Sequence, residues 1–252
     1  MKPLIAKIRP TSGFARLVHI LLLSLLPITV FVVVSIKIAF LAYLIVVLSK
    51  WRMLAVKPRF WPANVRANSV DIVVGLAIVT FMTQTDSRLW LLIWTALYIV
   101  WLTIIKPSSK KLMIALQAFV AFLFGLSALY LIGDDLPAFY LVLGTGAICY
   151  LAAHHFLDAF EEAYTRLLSY MWGFFGAALA WVLSHWLLYY PATGFIAQPV
   201  VLLIVLGYGL SAIYYLDHTD RLSSALKKQF IFAMVLITFV VLQFSDWGDK
   251  II

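Results

Sequence analysis

Residues 17–48 read LVHILLLSLLPITVFVVVSIKIAFLAYLIVVL and carry one lysine, Lys37, and no other formal charge. A run this apolar exceeds what a globular core helix needs and is long enough to occupy hydrocarbon either once, as a very long helix, or twice, as a hairpin. The polar interruption at Ser35, Ile36 and Lys37 is the place where a hairpin would turn. Which reading holds decides on which side the N-terminus lies, because every later connection is counted from it.

Outward from this run the pattern repeats. Counting its two halves as 15–34 and 36–49, further apolar stretches follow at 69–83, 89–105, 112–132, 138–154, 167–189, 199–216 and 229–244. Hydrophobic residues make up 64% of the 252-residue chain and charged ones 12%, with a mean hydropathy of +1.01. A soluble domain is roughly half apolar and a quarter charged, so lipid is the expected solvent. Backbone groups must be paired inside hydrocarbon, and the stretches lack the alternation of a membrane barrel, so the fold class is all-α: a polytopic bundle of transmembrane helices.

Charge chooses between the readings of the first run. With a hairpin, every lysine and arginine except Lys37, Arg88 and Lys250 falls on the side of the N-terminus. Basic residues concentrate in cytoplasmic connections, which predicts nine spans, an N-terminus in the cytoplasm and residence in the cytoplasmic membrane. A single first helix would give eight spans. The chain reads as one integral membrane domain, 1–252, comprising an N-terminal hairpin (1–50), a basic aromatic interfacial loop (51–68) and the remaining helices (69–252). Lys2, Lys7, Arg9 and Arg16 precede the first run as an uncleaved signal anchor would have them. The net charge of +8 is spread along the flanks of apolar runs, which points to anionic membrane lipids and not to nucleic acid. Cys149 is the lone cysteine, so no disulfide framework arises.

Residues 50–69, KWRMLAVKPRFWPANVRANS, mix Arg52, Lys57, Arg59 and Arg66 with Trp51, Phe60 and Trp61. This composition suits the headgroup level, where Arg166 and Arg221 on the same predicted side add phosphate-binding guanidinium groups. Asp71, following Asn68 and Ser69, reads as an acid at a helix start, favoured by the helix dipole. No carboxylate then lies in the middle of a predicted span, which weighs against an ion-coupled transporter.

Two polar clusters carry the chemistry a sequence can show. Residues 154–166, HHFLDAFEEAYTR, place His154, Asp158, Glu161 and Glu162 near one face if the helix continues, with His155 beside them. Residues 217–221, DHTDR, bring Asp217, His218 and Asp220 to the same predicted side. Imidazole and carboxylate together suit acid–base catalysis, for which His154, His155, Asp158, Glu162, Asp217, His218 and Asp220 are the candidates. They also suit a divalent metal, for which His154, Asp158, Glu162 and His218 are the candidate ligands; only an enzymatic reading needs one. The plain alternative is that helices become polar on leaving a membrane, with Glu162–Arg166 and Asp217–Arg221 as four-apart ion pairs.

His19 and His185 lie within apolar runs, each explained by a hydrogen bond to a neighbouring helix. Gly173, Gly176, Ala177 and Ala180, with the pairs Gly144/Gly146 and Gly207/Gly209, suit close helix packing. A phosphate-cradling glycine loop and a His-Glu-x-x-His pair are both absent, which disfavours ATP-driven transport and that protease chemistry. Three functions follow in order: a non-enzymatic scaffold or subunit of a cell-envelope assembly with membrane-protein partners, an interfacial enzyme acting on a lipid or lipid-linked phosphate, and a small-solute transporter.

Overall fold

The computed structural model describes residues 13–133, 136–186 and 197–243, apart from the side chains of Phe14, Ala15, Arg16 and Trp186. Lys2, Lys7, Arg9 and Lys250 of the charge pattern lie outside the described residues. The described residues form helices joined by turns, without a strand: α1 (Gly13–Ser35), α2 (Ala39–Leu48), α3 (Trp61–Thr83), α4 (Arg88–Val100), α5 (Lys111–Leu131), α6 (Ala138–Ala159), α7 (Thr165–Trp186), α8 (Gln198–His218) and α9 (Ser224–Gln243). Eight of these, all but α2, are long and apolar enough to cross a membrane, counting α4 together with the turn that extends it.

The first apolar run breaks at the expected place. Lys37 adopts a left-handed backbone at φ 62°, and its N–H and that of Ile38 bond the carbonyls of Val34 (2.8 Å) and Val33 (3.2 Å), which closes α1 in a Schellman turn. The returning α2 has only ten residues, about 15 Å of helix, half of the about 30 Å of a typical hydrocarbon core.

α3 differs from expectation by starting at Trp61 and not near Ser69. The expected loop 51–68 is therefore shorter, consisting of two 3-10 turns, Trp51–Met53 and Pro58–Phe60, and then helix. Pro62 in the first turn explains the early start, since its fixed φ suits a helix and its missing N–H is not needed there. The turns fold back on that helix: Trp61 Nε1 donates to the carbonyls of Leu54 (3.0 Å) and Val56 (2.9 Å), and Asn64 Nδ2 to that of Met53 (3.2 Å).

The chain forms two compact units, 1–113 and 114–252. In the first, α1 packs on α2, α3 and α4, and α3 on α2 and α4. Val74, Ala77, Ile78, Phe81 and Met82 of α3 are buried, as are Val30 of α1, Val46 of α2 and Tyr98 of α4. In the second, α6 and α7 make the closest pairing, α7 also meets α8, and α8 meets α9. Phe122, Leu126, Cys149, Val200 and Leu203 form its core.

The expected small-residue face is used in the α6–α7 pairing. A Cβ on Gly173 would lie 3.0 Å from the Gly146 carbonyl oxygen, and one on Gly176 would strike Cys149 Sγ. Replacing Gly173 by Val is expected to lower stability by about 1–3 kcal/mol, because a backbone carbonyl cannot step aside as a side chain can. Gly13→Ala, with nothing within 4 Å of the added carbon, should leave it unchanged. Unfolding of both variants in detergent micelles checks this.

Candidate functional site

The half-length of α2 has a chemical result. Because α2 stops early, Lys50 arrives beside the middle of α3, where Asp71 is buried, and not beside its start. The Asp71 carboxylate takes ion pairs from Lys50 and from Lys106 and accepts a hydrogen bond from Trp101 Nε1 at 2.9 Å. The side chains of Asp71 and Lys50 are 7% and 9% exposed, that of Lys106 38%. Burial pushes the Lys50 ammonium below the usual lysine value, Asp71 pulls it back, and Lys106 adds to the lowering.

Trp101 and Lys106 reach Asp71 through a local irregularity. Residues Trp101–Ile105 form a π-helical turn continuing α4, with the Lys106 N–H bonded to the Trp101 carbonyl at 2.8 Å. A π turn inserts a residue into the helical register and occurs often at functional sites. Above it, the buried Tyr98 hydroxyl has no hydrogen-bond partner among the described residues, and it lies 3.0 Å from where a Cβ on Gly75 would stand.

Beside the cluster is a cavity of about 370 Å³, bounded by Lys50, Arg52, Asn68 and Lys106 on one part and by Leu22, Leu23 and Leu26 of α1 on another. Asn68 Nδ2 is engaged with the Asn64 carbonyl at 2.9 Å. The site thus holds two ammonium groups on one carboxylate, with Arg52 lining the adjoining cavity beside an apolar wall. Sequence spacing does not join the lysines to Asp71, which its polar neighbours Asn68 and Ser69 make look like an acid at a helix start. The usable signal is that Lys50, Asp71 and Lys106 each stand at the same-side end of an apolar run.

The two clusters read from the sequence have a different arrangement. α6 stops at Ala159, and Glu161, at φ 57°, turns the chain away. Its N–H and that of Glu162 bond the carbonyls of Asp158 (3.2 Å) and Leu157 (3.3 Å), again a Schellman turn. α8 ends the same way: Asp220 has φ 54°, with its N–H on the Asp217 carbonyl (3.0 Å) and that of Arg221 on Leu216 (2.8 Å). Glu161 and Glu162 therefore do not extend the face of His154 and Asp158, and the four-residue spacing no longer stacks Glu162 on Arg166 or Asp217 on Arg221.

Glu162 accepts instead from the Tyr214 hydroxyl at 2.6 Å, which holds its carboxyl below the usual glutamate range, helped by backbone N–H groups and the nearby His218. The His218 ring stacks on Tyr214 and meets Phe160 edge-on at 5.2 Å. His155 Nε2 pairs with Gln117 Oε1 at 3.1 Å, and the His154 ring lies 5.8 Å from that of Tyr150. Asp158, Asp217, Asp220, Arg166 and Arg221 are exposed. Among the described residues, no three His, Cys, Asp or Glu side chains gather closely enough to hold a metal ion. His185 Nδ1 bonds the Trp181 carbonyl of its own helix at 2.7 Å, where a neighbouring helix was expected. Of the predicted headgroup cations, Arg52 borders the cavity, Arg59 lies 4.5 Å over the Phe60 ring, Lys57 is exposed and Arg66 is half-buried. A second cavity, about 260 Å³, has Phe119, Phe122, Phe156, Trp172 and Tyr214 in its wall and no charged side chain.

Compared with known proteins, the chain matches no protein family, no curated sequence and no solved structure.

Two outcomes follow from this geometry. Asp71→Asn leaves Lys50 buried beside Lys106 without a counter-charge and should cost about 3–5 kcal/mol, whereas the apolar set Asp71→Leu, Lys50→Met, Lys106→Met should regain most of it. Thermal unfolding in micelles decides, and an Asp71→Asn protein as stable as the parent contradicts the assignment. Glu161→Gly and Asp220→Gly should each raise stability, by about 1 kcal/mol or less, since glycine alone meets no Cβ clash in a left-handed turn. A loss in the same assay would show that those carboxylates do more than end a helix.

Proposed function

We propose that this chain is a non-enzymatic component of the cytoplasmic membrane, a binding or scaffold subunit of a cell-envelope assembly, that holds an anionic lipid headgroup at its cytoplasmic face. The observation that supports this is the cavity in the first unit, which sets Lys50, Arg52 and Lys106 next to the apolar wall of Leu22, Leu23 and Leu26. Cations beside leucines match a lipid, whose charge and chains must be received together.

Its orientation follows from the charge pattern. With the N-terminus inside, the connections holding Lys50, Arg52 and Lys106 face the cytoplasm, where anionic lipid gives a negative surface. The Asp71 carboxylate beside the cavity is engaged by two ammonium groups and a Trp N–H, so its oxygens already have fixed partners. That supports binding over chemistry at this place.

Protein extracted gently from its membrane should carry anionic phospholipid into native mass spectrometry. The double variant Arg52→Gln/Lys106→Gln, which spares the buried Lys50, should lose it while keeping its fold. Equal retention by parent and variant would remove the basis of this reading.

A further inference from the structure

We infer that the cavity beside Asp71 selects a phosphate dianion, the group carried by a phosphomonoester, over the singly charged phosphodiester of ordinary anionic lipids. This rests on the binding reading above and names its ligand class. Lys50, Arg52 and Lys106 supply three positive charges, and Asp71 removes one. The surplus of two equals the charge that a phosphomonoester approaches at neutral pH. A phosphodiester neutralises half of that surplus and leaves one positive charge of the cavity unmatched by the ligand.

Geometry adds to the count. The Lys50 side chain is 9% exposed and bound to Asp71, so it is a fixed contact and not a floating surface charge. Lys106, at 38%, borders the cavity, and the π turn brings its ammonium to Asp71. The guanidinium of Arg52 offers paired N–H donors to two oxygens of one phosphate. At about 370 Å³ the space lies within the range of small-ligand pockets, roughly 300–1,000 Å³. Asp71 also has a defined part: it holds the two lysines together before the ligand arrives, and it competes with the ligand for them.

The full chain in phosphatidylcholine nanodiscs, titrated with dioleoyl phosphatidic acid, phosphatidylglycerol or inorganic phosphate, tests this through thermal stability. Phosphatidic acid should stabilise at a concentration roughly fivefold or more below phosphatidylglycerol, about what one further charge contact contributes. Lys106→Gln should abolish that preference and leave phosphatidylglycerol binding nearly as before. If Asp71→Asn folds, phosphatidic acid should raise its unfolding temperature by more than the parent's, because the ligand then replaces a lost counter-charge; an equal or smaller rise contradicts the competition. Equal responses to the two lipids would overturn the dianion assignment and leave the anionic-headgroup reading standing. No response to either would overturn both. A response to inorganic phosphate matching that to phosphatidic acid would uphold the dianion class and overturn its lipid source.

Discussion

One carboxylate organises the first half of this protein. Asp71 is reached by the end of a short helix through Lys50 and by a π turn through Trp101 and Lys106, so three separate lengths of chain are registered on one buried group. Removing these charges from water costs several kcal/mol per ion, and their attraction offsets that without large surplus. The cluster therefore contributes less as stability than as position. It ties the end of α2, the middle of α3 and the π turn to one point.

How far this was legible depends on whether the signal is local. The break at Ser35 to Lys37 is local, a polar triplet inside an apolar run, and the structure turns there. The small-residue face of α7 is local too, since Gly173, Gly176 and Ala177 share a side by spacing alone and meet Gly146 and Cys149. The start of α3 was missed because Asn64, Arg66 and Asn68 look like a loop by polarity, although Pro62 and the bonds from Trp61 hold them in helix. Asp71 then appeared eight residues nearer a helix start than it is. Its partners are distant in sequence, and nothing in spacing joins them; only the shared level along the helices does.

The acidic clusters illustrate the opposite error. Glycine at a helix end announces a left-handed turn, but here Lys37, Glu161 and Asp220 occupy that position. Without the glycine signal a reader prolongs α6 through Glu162, and four spaced polar residues then line up as a metal site. The actual chain stops one turn earlier, and its carboxylates diverge: Glu162 to Tyr214, Asp158 to solvent. Polar residues at these ends satisfy the demand that the backbone turn in an environment where water is available, a demand that apolar residues meet poorly.

The short α2 connects the architecture to the site. Two or three more turns would have carried Lys50 about 10–15 Å further along, beyond Asp71. Apolar side chains from those turns would then pack against Leu22, Leu26 and Leu102, where the cavity now is. Asp71 would then have Lys106 as its one cation beside the Trp101 N–H, and a buried carboxylate with a single half-exposed counter-charge is poorly compensated. A half-length helix, an early-starting α3 and a π turn each depart from regular membrane packing. Together they deliver the groups of one cationic pocket, which is the physical reason to read these three departures as a single device.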